Sequence, residues 1–279
     1  MIQPFIAAVV DALTMITERR TFRLFPAVGH STFAWWLFVW IAVIGLLLAP
    51  WLAQINPLAL SPHYLWLLLA MAFLASNYNL LLFFGIQREQ ISNIEPFILF
   101  NPIVTILMAG LFYADERFWQ IYVAAVVAAI MLAWANLKHR HIAIGLPLLA
   151  ILGFSLLYGL EAIVIRQLLV VYSPLALYLV RAVIVVLFLW IVQRGQIPAL
   201  NRHQQPYIIL VAAGAVLTST LIYYAYSLQG IGATIFALTL SPILVYTFSV
   251  IFLKEQLRWQ NIVASVVVLG LIIWVTLSR

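Results

Sequence analysis

The sequence has no cysteine and few charged residues, and each shortage excludes a class of protein. Without cysteine, the chain cannot form disulfides, thiolate metal sites or a cysteine nucleophile. Charged residues make up only 8% of its 279 positions, whereas a typical soluble domain has about 25%. A chain so poor in charge cannot cover itself with a solvated surface, so a water-soluble globular enzyme is excluded.

Motifs for catalysis and nucleotide binding are missing as well. The sequence contains no HExxH, no GxSxG and no P-loop signature. Its five histidines fall at or near the ends of apolar runs and are not spaced to bind a metal from one helix face. We therefore predict that the protein is not an enzyme and that it uses no metal and no other cofactor.

Long apolar runs account for most of the chain. Hydrophobic residues make up 66% of it, and the mean hydropathy is +1.11. A helix needs about 20 apolar residues to cross the hydrocarbon core of a membrane. Ten runs approach or reach that length: 2–18, 33–53, 64–86, 91–113, 118–137, 142–164, 174–193, 206–228, 231–253 and 258–277. These runs predict an all-α polytopic membrane protein with about ten transmembrane helices.

The positive charge of the chain fits a membrane protein better than a nucleic-acid-binding one. The net charge is +6, but the basic residues stand at the ends of the apolar runs, where they meet lipid headgroups and set topology. Most of them follow odd-numbered runs, which predicts that both termini lie outside. The first run carries Asp11, so it either spans the membrane or lies on its surface. We expect it to be part of the mature chain because no signal-peptide cleavage site follows it.

An internal repeat relates the two halves of the sequence. A shift of 140 residues places Pro102 on Pro242, Asp115 on Glu255, and the pair Trp119–Gln120 on Trp259–Gln260. The repeat predicts two five-helix units, residues 1–140 and 141–279. An odd number of spans in each unit inverts one unit relative to the other across the bilayer, and transporters with inverted repeats bind substrate near the midplane between the units.

The repeated motifs resemble those of the EamA-type transporters of the drug/metabolite transporter (DMT) superfamily. The first copy runs from Asn101-Pro102 to Asp115-Glu116-Arg117-Phe-Trp119-Gln120. The second copy runs from Ser241-Pro242 to Lys254-Glu255-Gln256-Leu-Arg258-Trp259-Gln260. The second unit also contains Ser173-Pro174 followed by Arg181. The resemblance covers essentially the whole chain. It implies ten helices in two inverted repeats, termini on the inside, and export of amino acids or other small metabolites. The loop charges and the resemblance therefore disagree on orientation, which stays open.

Ionisable residues inside the spans are the first candidates for function, because each is costly to place in a membrane. They are Asp11, Glu95, Glu161 and Arg181. Glu161 and Arg181 either form a buried ion pair that fixes packing, or Arg181 binds a substrate carboxylate while Glu161 exchanges protons. Asp11 is a second candidate for proton coupling, unless it merely reaches the membrane edge. Glu95 precedes a proline near the start of its run and is more typical of an interfacial acid.

Prolines and polar side chains at matching positions indicate where a substrate site would lie. Pro102 and Pro242 fall near the centres of their runs and are expected to kink those helices. We predict that a cavity beside the kinks is lined by these polar or aromatic residues: Asn77, Tyr78, Asn101, Tyr223, Tyr224 and Ser241. Packing roles are the alternative for each of them.

The sequence therefore predicts a multi-pass transporter of the cell (inner) membrane that exports small organic metabolites by alternating access. Coupling to protons is the expected energy source, and membrane lipids and a small-molecule substrate are the expected partners. The alternative is an uncoupled facilitator or channel for small solutes. Neither the substrate nor the oligomeric state follows from the sequence.

Overall fold

The computed structural model describes residues 2–25, 28–88, 101–136, 145–196, 198–253 and 259–277. Within these ranges the chain forms eleven α-helices and no β-strand. The helices are α1 (Gln3–Leu24), α2 (His30–Leu52), α3 (Pro62–Arg88), α4 (Asn101–Phe112), α5 (Trp119–Asn136), α6 (Leu146–Leu168), α7 (Pro174–Val192), α8 (Gln205–Gln229), α9 (Ile231–Leu238), α10 (Leu240–Leu253) and α11 (Trp259–Leu277). Two short 3₁₀ turns, Pro57–Leu60 and Ala114–Glu116, lie in connections.

The helices are apolar enough to confirm the predicted fold class, an all-α polytopic membrane protein. Five segments of the described chain have the length and composition of membrane spans: Ser31–Leu52, Pro62–Leu82, Leu149–Leu168, Pro174–Val192 and Gln205–Gln229. α9 and α10 share one predicted run, 231–253, and α4 is the second part of the run 91–113. Residues 89–100, with Glu95, lie outside the described residues, as does Glu255.

The sequence explains several helix boundaries directly. Proline stands in the first turn of α1, α6, α7 and α8, where its fixed φ suits the helix and its missing N–H costs nothing. α8 ends at Gln229 because Gly230 adopts a φ of +85°, a conformation that glycine adopts without strain.

The first helix is an integral part of the bundle. α1 packs along α8 and also contacts α9 and α10. Its alanines Ala7, Ala8 and Ala12 are fully buried, and small side chains allow helices to approach closely. The run that was open to two interpretations in the sequence therefore packs against other helices of the bundle.

The helix contacts come in corresponding pairs. α1 packs on α8 as α3 packs on α6, while α2 contacts α7 and α5 contacts α11. Shifting the chain by one five-span unit exchanges the first two of these contacts and maps each of the last two onto itself. The contacts are therefore consistent with two repeats.

Two connections meet at one face of the bundle through backbone hydrogen bonds. The Asn56 N–H donates to the Val171 carbonyl at 2.8 Å, and the Ser173 N–H donates to the Gln54 carbonyl at 2.9 Å. The Ser173 hydroxyl adds two more bonds, since Oγ accepts from the Gln54 N–H at 2.9 Å and donates to the Leu52 carbonyl at 3.0 Å. This bridge, residues 54–56 with 171–173, joins the end of α2 to the start of α7.

We expect Ser173→Ala to lower the free energy of unfolding by about 1 kcal/mol, because it removes a hydroxyl that serves both connections. Thermal unfolding of the detergent-purified protein measures this loss. Ser227→Ala is the matched control, since the Ser227 hydroxyl bonds only to the Tyr224 carbonyl of its own helix. Equal melting temperatures for the two variants would contradict a bridging role for Ser173.

Candidate functional site

A buried ion pair lies in the interior of the bundle. Arg181 Nε on α7 donates to Glu161 Oε1 on α6 at 2.7 Å. The two residues are only 5% and 2% exposed. Either charge alone would be expensive at this depth, and the pair offsets much of that cost. The contact raised by the sequence analysis is therefore present in the structure.

Aromatic rings surround the Arg181 guanidinium. The Tyr78 hydroxyl accepts a hydrogen bond from Arg181 Nη2. The guanidinium carbon lies 5.6 Å from the centre of the Tyr78 ring, 5.7 Å from that of Tyr178 and 5.9 Å from that of Phe38. At these distances the ring faces attract a cation. The surroundings therefore stabilise the positive charge from several helices at once.

Further tyrosines complete the enclosure. Tyr178 and Tyr223 meet edge to face with their ring centres 5.8 Å apart, and Tyr78 and Tyr158 do so at 5.6 Å. Tyr226, on α8, lines the same cavity as these rings. Edge-to-face pairs favour fixed ring orientations, so these side chains form a defined wall.

The pair and the rings border a cavity of about 170 Å³. Helices α2, α3, α6, α7 and α8 contribute its lining, which comprises Phe38, Tyr78, Asn79, Tyr158, Glu161, Ala162, Ile165, Tyr178, Arg181, Ser219, Ile222, Tyr223 and Tyr226. An apolar cavity of about 150 Å³ is large enough to hold benzene. The cavity therefore fits a small organic group and presents both a carboxylate and a guanidinium to it.

A second polar contact joins two other predicted residues. The Ser241 hydroxyl donates to Asp11 Oδ2 at 2.6 Å, which links α10 to α1. Ser241 stands in the first turn of α10, just after the span is interrupted at Thr239. Pro242 lacks an N–H and cannot donate to the Leu238 carbonyl four residues before it. The helix of this span is therefore interrupted at Thr239, about one turn before Pro242.

The predicted residues divide into those at the cavity and those away from it. Tyr78, Glu161, Arg181 and Tyr223 line it, whereas Asp11 and Ser241 form their own contact. Three others do not line it: Asn77 donates to the Phe73 carbonyl of its own helix at 2.7 Å, Asn101 accepts from Thr105 Oγ1 at 3.2 Å, and Tyr224 is 46% exposed. Pro102 is the second described residue of α4.

Sequence reasoning did not select several residues that line the cavity. Tyr158 precedes Glu161 by three residues, and Tyr178 precedes Arg181 by three. Residues three apart share a helix face, so this spacing was the available signal. The pattern that points to Tyr78 also points to its neighbour Asn79, which lines the cavity and whose side chain donates to the Ala75 carbonyl at 2.7 Å. Among the described residues there is no cluster of three or more His, Asp or Glu side chains that could bind a metal.

Fold and site together define a polytopic membrane protein with a charged cavity buried between its helices. Residues 145–277 match the EamA-like transporter family. This match over the second half of the sequence supports an EamA-type membrane transporter of the DMT superfamily.

Structural comparison adds information on the fold alone. One crystal structure superposes with a TM-score of 0.81 and covers 99% of this chain and 96% of its own, at 11% sequence identity. No curated protein matches the sequence.

Proposed function

We propose that the protein exports small organic metabolites, amino acids first among them, across the cell (inner) membrane by proton-coupled alternating access. The observation that carries this proposal is the Glu161–Arg181 pair facing the cavity of about 170 Å³. An amino acid carries one ammonium and one carboxylate group. A carboxylate and a guanidinium in one small cavity are the complementary pair of charges.

The proposed mechanism makes substrate and proton compete for Glu161. An amino acid entering between the two side chains places its carboxylate on Arg181 and its ammonium on Glu161. A proton on Glu161 removes the negative charge that holds the ammonium group, so the substrate leaves. One proton then moves inward for each substrate that moves outward. This exchange is the coupling that a proton-driven exporter requires.

The tyrosine wall accounts for the proposed preference among amino acids. Tyr78 and Tyr223 line the cavity beside the ion pair. Aromatic rings pack well against apolar and aromatic side chains, so we expect such amino acids to bind better than small polar ones. We assign Asp11, bonded to Ser241, as a second candidate for the proton. The kink prolines Pro102 and Pro242, with Asn101, remain proposed as parts of the helices that move.

Alternating access also needs two units that can move against each other. We propose that residues 1–140 and 141–279 are these units and that they are inverted relative to each other. The paired helix contacts support the proposal. The units touch at both faces of the bundle. At one face they are joined by the bridge of residues 54–56 and 171–173. At the other face the Trp36 indole N–H donates to the Pro198 carbonyl at 3.1 Å.

We expect Glu161→Gln to abolish the response of transport to a proton gradient, because the amide cannot exchange a proton. Proteoliposomes measure this as uptake of labelled amino acids, beginning with aromatic ones, with and without an imposed pH gradient. Glu18→Gln is the matched control, since it makes the same change on α1, at a residue outside the lining of the cavity. Wild type and control should both accelerate with the gradient.

Other outcomes of the same assay would redirect the proposal. Saturable counterflow that ignores the gradient in the wild type would favour an uncoupled facilitator and leave Glu161 with a packing role. Flux without saturation would indicate a channel. Failure to move any amino acid would contradict the proposed substrate class.

A further inference from the structure

Glu116 is a buried acid that takes no part in the central cavity. It lies in the connection between α4 and α5, at the face of the bundle that carries the bridge, and is only 3% exposed. Both of its carboxylate oxygens are occupied. Oε1 accepts from Arg166 Nη1 at 2.7 Å and from the Ile231 N–H at 2.6 Å, while Oε2 accepts from the Gly232 N–H at 3.0 Å.

These bonds make Glu116 the N-terminal cap of α9, supplied from a distant part of the sequence. The first N–H groups of a helix lack partners within the helix and attract negative charge. Glycine makes the close approach possible, because a Cβ on Gly230 would lie 2.3 Å from Glu116 Oε1, and one on Gly232 would lie 3.1 Å from Oε2. Both glycines therefore leave the space that the carboxylate occupies.

Arg166 connects this cap to the last turn of α6. Besides Glu116, it binds Asp115 Oδ2 at 2.5 Å, and its guanidinium carbon lies 4.3 Å from the centre of the Tyr113 ring. The hydrogen bond from Arg166 lowers the pKa of the exposed Asp115 carboxyl below its ordinary value, so that carboxyl stays ionised at neutral pH. Residues 113–116 of the first unit are thus tied by charge to α6 and α9 of the second.

A second cavity, of about 650 Å³, lies beside this contact. Arg166 and Ser227 line it, whereas their chain neighbours Ile165 and Tyr226 line the central cavity. The two cavities therefore border adjacent residues of α6 and α8. The larger one reaches the helix ends at Gly230, and Glu116 is part of its lining.

We propose that Glu116, Arg166 and the N-terminus of α9 form a latch, and that this latch is the gate between the central cavity and the Gly230 face. The closed latch holds α9 against α6 and the α4–α5 connection. Its release frees α9, and every bond that it loses joins polar groups that water can solvate at the membrane surface. A contact of this kind can open and close in each transport cycle. The inference rests on the alternating access proposed above.

The absence of cysteine allows the gate to be tested with a single reporter thiol. Ile165→Cys places that thiol in the lining of the central cavity, next to Arg166. A membrane-impermeant maleimide applied to the Gly230 face then measures how often the route is open. We expect Glu116→Gln to raise the labelling rate about tenfold, the order by which loss of one charge-assisted hydrogen bond shifts an equilibrium.

Gly230→Ala opens the latch by a second, independent route. It keeps every charge but places a methyl group where the carboxylate lies, so the labelling rate should rise in the same direction. Gly195→Ala is the matched control, because Gly195 also has a positive φ, +72°, but its nearest neighbours are atoms of Trp190. Its labelling rate should equal that of the parent.

Unchanged labelling in both latch variants, each correctly folded, would overturn the proposal and make Glu116 a static cap. Hydrogen exchange of the wild type supplies a test that needs no variant. The Ile231 and Gly232 amides should exchange faster than the buried Val211 and Ala212 amides in the second turn of α8, and equal protection would also overturn the proposal. Neither measurement needs a substrate, so their outcome is independent of whether amino acids are the transported class.

Discussion

Arg181→Ala is expected to abolish transport and to lower the free energy of unfolding by about 3–5 kcal/mol. The substitution leaves Glu161 charged and buried without its partner, and breaking a buried pair from one side has a cost of this order. It also removes the proposed anchor for the substrate carboxylate. Thermal or denaturant unfolding in detergent and uptake into proteoliposomes measure the two losses separately.

A double variant separates stability from transport. Replacing both Glu161 and Arg181 with leucine removes the unpaired charge, so much of the lost stability should return, whereas transport should stay absent. Arg202→Ala, at an exposed position in the connection between α7 and α8, is the control and should change neither quantity. Substantial transport by the double variant would show that the pair serves packing alone.

Gly214→Ala is expected to destabilise the contact between α1 and α8. A Cβ at this position would lie 2.1 Å from Thr14 Oγ1 and 3.2 Å from Thr14 Cβ, so the two helices must move apart. Overpacking of this kind has a cost of about 1–3 kcal/mol. The loss should appear as a lower melting temperature of the purified protein.

A compensating change tests whether the cause is this close approach. Thr14→Ala removes the hydroxyl that would collide, so adding it to Gly214→Ala should recover part of the lost stability. Gly270→Ala, where a Cβ would meet nothing within 4 Å, should leave the melting temperature unchanged or slightly higher, since alanine favours a helix more than glycine does. No recovery in the double variant would exclude Thr14 as the obstacle.

Hydropathy located the helices because a membrane imposes one simple requirement on them. A span must be apolar over about 20 residues, and the runs at 174–193 and 206–228 correspond closely to α7 and α8. Hydropathy was less accurate where a helix continues beyond the hydrocarbon core. The first run was predicted to end at residue 18, but α1 extends through Arg20 to Leu24, because charged residues at the membrane surface do not end a helix.

The interruption between α9 and α10 shows a second limit of sequence reasoning. Pro242 predicts a kink, but the pattern of apolar residues runs unbroken through Thr239. The side chain of Thr239 donates to the Phe236 carbonyl at 2.6 Å, a local bond that no periodicity reveals. The position of the interruption is therefore determined by backbone hydrogen bonding and not by hydropathy.

The cavity could be predicted only in part, because its charged residues are easy to recognise in this sequence and its tyrosines are not. Glu161 and Arg181 are conspicuous since charges are scarce in this chain. Tyrosine is not scarce, with 12 residues, so Tyr158 and Tyr178 could be distinguished from packing residues only by their position one turn from a charge. The Glu116 cap depends on two connections more than 100 residues apart, and no local pattern indicates such a contact.

The bridge between residues 54–56 and 171–173 has a consequence for how far the sequence can diverge. Its two main-chain bonds, from the Asn56 and Ser173 amides, use no side chain, so most substitutions there leave them in place and only proline at either amide removes one. A junction of this kind accepts mutations that a side-chain contact would not. The shared fold at 11% identity shows how far the sequence can diverge while the arrangement of the helices is kept.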